Sequence, residues 1–253
     1  MTIDLNADAG ESFGRWQLGD DGALFASLSS VNLACGFHAG DPLTIQRTVA
    51  LAKAHGLAVG AHPGFPDLVG FGRRDMALNS DELYAAVIYQ LGALAAFLAL
   101  EGLFLHHVKP HGALYLQMTR NPETARTVAK AIKDYDATLP LVILAGAGGV
   151  LMAEQARAAR VRYVLEAFPD RAYLADGQLA PRSLPGSVID DPEQIARRAV
   201  QMVCEGRVDA LDGGQVTLAP QTLCIHGDNP QAAATASTVK GALLAAGVTL
   251  RAF

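Results

Sequence analysis

Apolar positions along this chain come in two alternating kinds of run. Short, nearly continuous ones of strand length lie at 3–5, 31–35, 57–61, 104–108, 141–144, 161–165 and 222–225. Between them the apolar residues take helical spacing, as in Ile45, Val49 and Ala52, or Ala125, Val128, Ala129 and Ile132. Strands alternating with helices predict parallel βα units. Seven such units suit a closed or slightly open α/β barrel, and residues 1–253 fit a single barrel domain.

Helix starts are marked by Asx-Pro pairs, a side-chain acceptor followed by a residue whose fixed φ suits the first helical position. They stand at Asp41-Pro42, Asn121-Pro122, Asp191-Pro192 and Asn229-Pro230, with a capping box at Asn79-Ser80-Asp81-Glu82. His55-Gly56 and Glu101-Gly102 supply stops. The most apolar stretch, 85–100, has Gln90 as its one clearly polar side chain and falls short of the roughly 20 residues a bilayer span needs. It predicts a helix buried in the protein or against another subunit.

Polar clusters stand at or just after the strand ends: Asp8 and Glu11; His38 and Asp41; His62 and Asp67; Lys109 and His111; Glu166, Asp170 and Arg171; His226 and Asp228. An α/β barrel assembles one active site from many such segments, so the pattern predicts an enzyme. Three long connections, 8–27, 62–79 and 168–189, belong on the same face as candidate lids or binding arms.

A net charge of −5 without a basic run gives no footprint for nucleic acid or an anionic membrane, which leaves a small-molecule substrate. Three cysteines without C-x-x-C spacing, and an N-terminus lacking the pattern of a signal peptide, suit the cytoplasm.

Carboxylates at Asp8, Glu11 and Glu166 serve acid/base work or hold a cation through oxygen. Asp8, Glu11 and His62 are metal candidates, although no helical H-x-x-x-H or HExxH motif is present. Histidines 38, 62, 111 and 226 converge from different strands, whereas Asp41 doubles as a helix cap. Guanidinium groups at Arg73, Arg171 and Arg182 are anion handles on long loops. The glycine-rich turn 145–149 lacks the Lys-Ser/Thr of a P-loop and reads as a tight βα turn.

Several stretches carry a resemblance: 4–11 (DLNADAGE), 32–41 (NLACGFHAGD), 60–63 (GAHP), 70–74 (GFGRR), 107–115 (HVKPHGALY), 170–173 (DRAY) and 226–228 (HGD). In these the chain resembles the LamB/YcsF family over nearly its whole length, with Pro169 a local departure. The resemblance implies a (β/α)7-type open or distorted TIM-like barrel, related to glycoside hydrolase and deacetylase barrels. It also implies ATP-dependent hydrolysis of 5-oxo-L-proline to L-glutamate within a multi-subunit 5-oxoprolinase that includes subunits B and C. Cofactors would be ATP and a divalent cation such as Mg. Lys109 would meet phosphate charge, Arg171 or Lys109 the substrate carboxylate, and Asp8, Glu11 and Glu166 the ion or the attacking water. His38, His62 or His111 would move protons, with Arg182, Arg73, Asn6, His226 and Asp228 completing the substrate and phosphate contacts. The alternative is a metal-dependent amide or N-acyl hydrolase acting on a small carbohydrate or lactam, and a third reading is a scaffold whose partners do the chemistry. The apolar 85–100 stretch leaves room for a homo-oligomer or for partner docking.

Overall fold

A computed structural model describes residues 1–227 and 231–253. In chain order the elements are β1 (Thr2–Ala9), α1 (Asp21–Phe25), β2 (Ser30–Ala34), α2 (Pro42–Ala54), β3 (Ala58–His62) and α3 (Ser80–Leu100). Then come β4 (His107–Val108), α4 (Gly112–Met118), α5 (Pro122–Tyr135), β5 (Leu141–Leu144), α6 (Val150–Ala158), β6 (Tyr163–Ala167) and α7 (Pro192–Val200). The remainder is β7 (Arg207–Asp209), β8 (Gln215–Thr217), β9 (Thr222–Ile225), α8 (Ala232–Ala245) and β10 (Thr249–Leu250).

Strands β1 to β6 pair in order and in parallel, β9 pairs with both β6 and β1, and the ring of seven closes. β10 adds to the start of β1, and β7 with β8 forms a separate antiparallel hairpin. All seven sequence-predicted strands are present, 141–144 and 222–225 with the predicted bounds and the other five with shifted ends. The run at 104–108 shrinks to His107–Val108 because Phe104 lies outside the ring and is 87% exposed. β6 starts two residues later than the apolar pattern implies and runs on to Ala167, which puts Glu166 inside the strand.

The Asx starts work as their chemistry requires. Asp41 accepts from the Leu43 and Thr44 amides, Asn121 from Glu123 and Thr124, and Asp191 from Glu193. The box at Asn79 is reciprocal with Glu82. Asn229-Pro230 lies outside the described residues.

Along α3, Leu83, Val87, Leu91, Leu94 and Leu98 are buried while Tyr89 and Leu100 are exposed. This is the one described helix with the length and hydropathy of a membrane span. Its buried Gln90 holds the loop after His62 in place, since the side chain accepts from the Gly64 amide and donates to the Gly64 carbonyl.

Period-2 alternation sorts each strand into an apolar side and a polar one. On β1, Ile3, Leu5 and Ala7 join the hydrophobic core, while Asp4, Asn6 and Asp8 meet polar partners from neighbouring strands. Barrel interiors are ordinarily filled by branched apolar residues. Here the interior is a bonded polar column. Asp4 accepts from Ser29, Ser30 and Thr222 hydroxyls at 2.6, 2.8 and 2.5 Å. Above it, Asn6 donates to Thr222 and Glu166, and Asn32 donates to both Asn6 and Asp8. His107 lies 2.7 Å from the Asn32 oxygen. Room for that ring exists because residue 60 is glycine: a Cβ there would overlap the His107 imidazole.

The turn at 145–149 is structural, as its sequence implies. A Cβ on Gly148 would overlap the Gly177 carbonyl, so the glycine lets the turn pack against the long 168–189 loop.

Candidate active site

The column ends at the C-terminal mouth in a buried amine between two carboxylates. Lys109, just past β4, places Nζ 2.7 Å from Asp8 Oδ1, 3.3 Å from Glu166 Oε1 and 2.9 Å from Cys224 Sγ. The Phe168 ring lies 5.3 Å from that Nζ. Burial opposes the charge on Lys109, yet Asp8, Cys224 and Glu166 around it raise its pKa well above that of an ordinary lysine. Burial opposes the charge on Asp8 as well, but His62 and Lys109 hold that carboxyl well below the usual range. One amine cannot neutralise two carboxylates. The excess falls on Glu166, whose pKa burial pushes up to about 7 against the pull of Lys109.

Beside this centre stand Glu11, His38, His62 and His111, all buried. Their nearest ligand atoms lie within 4.8 Å of one another, so the group could hold a metal ion. His62 Nδ1 is 2.6 Å from the Lys109 carbonyl, and His111 Nε2 is 2.8 Å from the Phe71 carbonyl. A carbonyl only accepts, so both nitrogens carry protons. In neutral rings this leaves His62 Nε2 and His111 Nδ1 as bare lone pairs 2.9 Å apart. His38 Nε2 lies 3.5 Å from Glu11 Oε1, and His111 Nδ1 lies 3.6 Å from the same oxygen. Burial, reinforced by neighbouring imidazoles, pushes the His38 and His111 pKa values well below the usual range.

Outside these groups a cleft of about 770 Å³ opens, lined among others by Asp8, His62, Lys109 and His111 within and Arg73, Arg171 and Arg182 around them. Arg171 also has a structural part. It donates to the Ala180 and Ser187 carbonyls at 2.6 and 3.3 Å, and thereby braces the long loop over the mouth. Burial, with Arg182 nearby, lowers its pKa to about 10. His226 is held by Asp170, whose Oδ2 lies 2.7 Å from Nδ1 and accepts from the backbone amide at 3.1 Å.

The structure thus brings Asn6, Asp8, Glu11, His38, His62, Arg73, Lys109, His111, Glu166, Arg171, Arg182 and His226 to one end of the barrel. Asp228 lies outside the described residues. Asp8, named beside Glu11 and His62 as a metal candidate, is engaged with Lys109 and stands just outside the four-residue donor group. Asp41 caps α2, and Asp67 pairs with Arg74 and the Gly70 amide. Sequence reasoning missed Asn32, Tyr115, Phe168 and Cys224. The first had a readable signal, since Asn32 shares the inward parity of Ser30 within an otherwise apolar run. Tyr115, buried on α4 and lining the cleft, had none.

Comparisons place this geometry among known proteins. The LamB/YcsF family model matches residues 3–253. A Thermus thermophilus protein named as the A subunit of 5-oxoprolinase is 63% identical over 253 residues, covering all of both chains. One of the same name from Deinococcus radiodurans is 55% identical, covering 99% of this chain and 96% of its own. The crystal structure of a lactam utilization protein from Thermus thermophilus superposes with a TM-score of 0.94 at 62% identity, covering both chains fully. Truncated 3-deoxy-D-arabino-heptulosonate 7-phosphate synthase from Thermotoga maritima covers 99% of this chain and 90% of its own, with a TM-score of 0.52 at 11% identity, a likeness of fold alone. With a family model matched from the first strand to the last residue, the chain belongs to the LamB/YcsF family.

Proposed function

We propose that this chain, acting as one barrel domain, is the ring-opening subunit of an ATP-dependent 5-oxoprolinase that hydrolyses 5-oxo-L-proline to L-glutamate together with subunits B and C. The observation that carries the reading is the buried Asp8–Lys109–Glu166 centre at the mouth of an arginine-rimmed cleft. Relatives alike over their full length are named as the A subunit of 5-oxoprolinase. The reaction belongs in the cytoplasm, where ATP is available and the three free cysteines stay reduced.

A five-membered lactam is a stable amide with a poor nitrogen leaving group. Transfer of the γ-phosphoryl of ATP to the amide oxygen, with ADP leaving, makes the carbonyl carbon electrophilic. Water then adds, and the C–N bond breaks as the ring nitrogen takes a proton, which leaves an acyl phosphate on the opened chain; a second water cleaves that to L-glutamate and phosphate. Mg accompanies the nucleotide. Lys109 faces the developing phosphate charge, and Arg171 with Arg73 and Arg182 receives the substrate carboxylate. His226 on the cleft lining completes the contacts, and Asn6 steadies Glu166 from below. Glu166, with its pKa near neutrality, is suited to hand a proton to the ring nitrogen. Asp8, kept ionised by His62 and Lys109, takes the proton of the attacking water.

Glutamate release from 5-oxoproline, measured with this chain alone and then with B and C, each with and without ATP, tests the reading. Release only with ATP and all three subunits is the expected result. No release from any folded mixture would remove it.

A further inference from the structure

The contact between His62 and His111 does not close as a pair of neutral rings. Backbone carbonyls fix the proton on the far side of each imidazole, so two acceptors face each other at 2.9 Å. Neutral lone pairs at that distance repel, and Asp8 Oδ2 lies 3.3 Å from the same His62 nitrogen, so a positive charge, a proton or a metal ion, belongs between them. A carbonyl holding the outer N–H is also how metal-binding histidines are oriented.

Three further observations point the same way. Neither ring nitrogen of the fully buried His38 makes a hydrogen bond among the described residues, and Nε2 sits 3.5 Å from Glu11 Oε1. Glycines shape the cradle: a Cβ on Gly64 would stand 2.7 Å from His38 Nδ1, and one on Gly72 would stand 2.7 Å from His38 Cβ and 2.8 Å from His111 Cδ2. Three of the six donor separations suit one ion, and all six lie within 4.8 Å. Two donors about 2.0–2.1 Å from a metal lie roughly 3 Å apart at a right angle and roughly 3.4 Å apart at the tetrahedral angle. The observed separations are 2.9, 3.5 and 3.6 Å.

We propose that His62 Nε2, His111 Nδ1 and Glu11 hold a transition metal ion, with His38 as a fourth ligand. His38 and His111 stack face to face at 3.8 Å and 1°, so their lone pairs lie in parallel planes and His38 joins by turning its ring. Imidazole-rich sites select zinc, cobalt, nickel or copper, whereas magnesium prefers all-oxygen ligands and retained water. The ion is therefore distinct from Mg carried by a nucleotide. This inference is independent of the substrate and adds a resident Lewis acid beside Asp8 and Lys109.

The test uses the full, untagged chain. Metal analysis after chelator-free purification should find about one zinc-like ion per chain, and cobalt(II) added to the stripped protein should give visible ligand-field bands saturating near one equivalent. Zinc should abolish those bands and magnesium should not. His111→Gln and His38→Gln should each weaken cobalt binding more than the roughly 10–100-fold typical of losing an outer-shell partner, whereas His55→Gln, at a distant helix end, should leave it unchanged. The wild-type titration stands even if a variant misfolds. Absence of retained metal together with absence of cobalt bands overturns the proposal, and nitrogen-15 spectra would then show a proton shared by His62 and His111. Cobalt bands unaffected by His111→Gln in a folded variant overturn it equally. Glutamate release is not read, so this failure and that of the proposed function are separable.

Discussion

Residue by residue, the site depends on charges that only their neighbours make tolerable. Lys109→Met leaves Asp8 and Glu166 buried without their amine. Breaking a buried ion pair from one side costs about 3–5 kcal/mol, so urea unfolding at neutral pH should show a loss of that order. Glu166 supplies a pH signature. Its pKa is about 7 in the folded chain against an ordinary 4.5, so the folded state holds this proton more tightly than the unfolded one. The resulting stability is complete below about pH 4.5 and is lost as the pH rises through about 7. His38 and His111, with lowered pKa values, tilt stability the opposite way over the same range. The Glu166 effect is therefore read as a difference: from about pH 4.5 to 7 the urea midpoint of Glu166→Gln should gain on that of the wild type. Equal pH dependence in both would show that Glu166 is charged when folded.

Among the helices and strands, hydropathy and hydrogen bonding make opposite forecasts for α3. Gln90→Leu makes the helix more apolar, yet it strips the Gly64 amide and carbonyl of their partner. An orphaned buried polar group costs about 1–3 kcal/mol, so thermal unfolding should show destabilisation where a hydropathy argument expects gain. On β3, Gly60→Ala drives a methyl into His107 and should destabilise by about 1–3 kcal/mol or more. Strand runs and Asx-Pro caps show plainly in the sequence because each is a local rule, and the seven-strand ring follows from their alternation. The site residues at strand ends are legible for the same reason. The polar column is legible only in part: Asp4, Asn6 and Asp8 alternate with Ile3, Leu5 and Ala7 in the sequence itself, but the groups that bond them come from strands distant along the chain. Nor can the hairpin β7–β8, the short α1 or the bracing role of Arg171 be read there, since each depends on contacts between distant loops.

Across the whole molecule, one end of a closed barrel gathers an amine flanked by carboxylates, a group of one glutamate and three histidines, and a cleft of about 770 Å³ rimmed by arginines. That volume far exceeds a single five-membered lactam, which leaves space for a phosphoryl donor or a partner's side chains to share the mouth. Whether the amine-centred mouth opens the lactam is decided by glutamate formation from 5-oxoproline in the assembled three-subunit mixture, comparing wild type with Lys109→Met that has been shown to fold and assemble. The expected result is ATP-dependent release that needs this chain and drops by at least about 100-fold in the variant, the scale of losing one electrostatic contact to developing charge. Undiminished release by the variant, or full release from B and C without this chain, would contradict it.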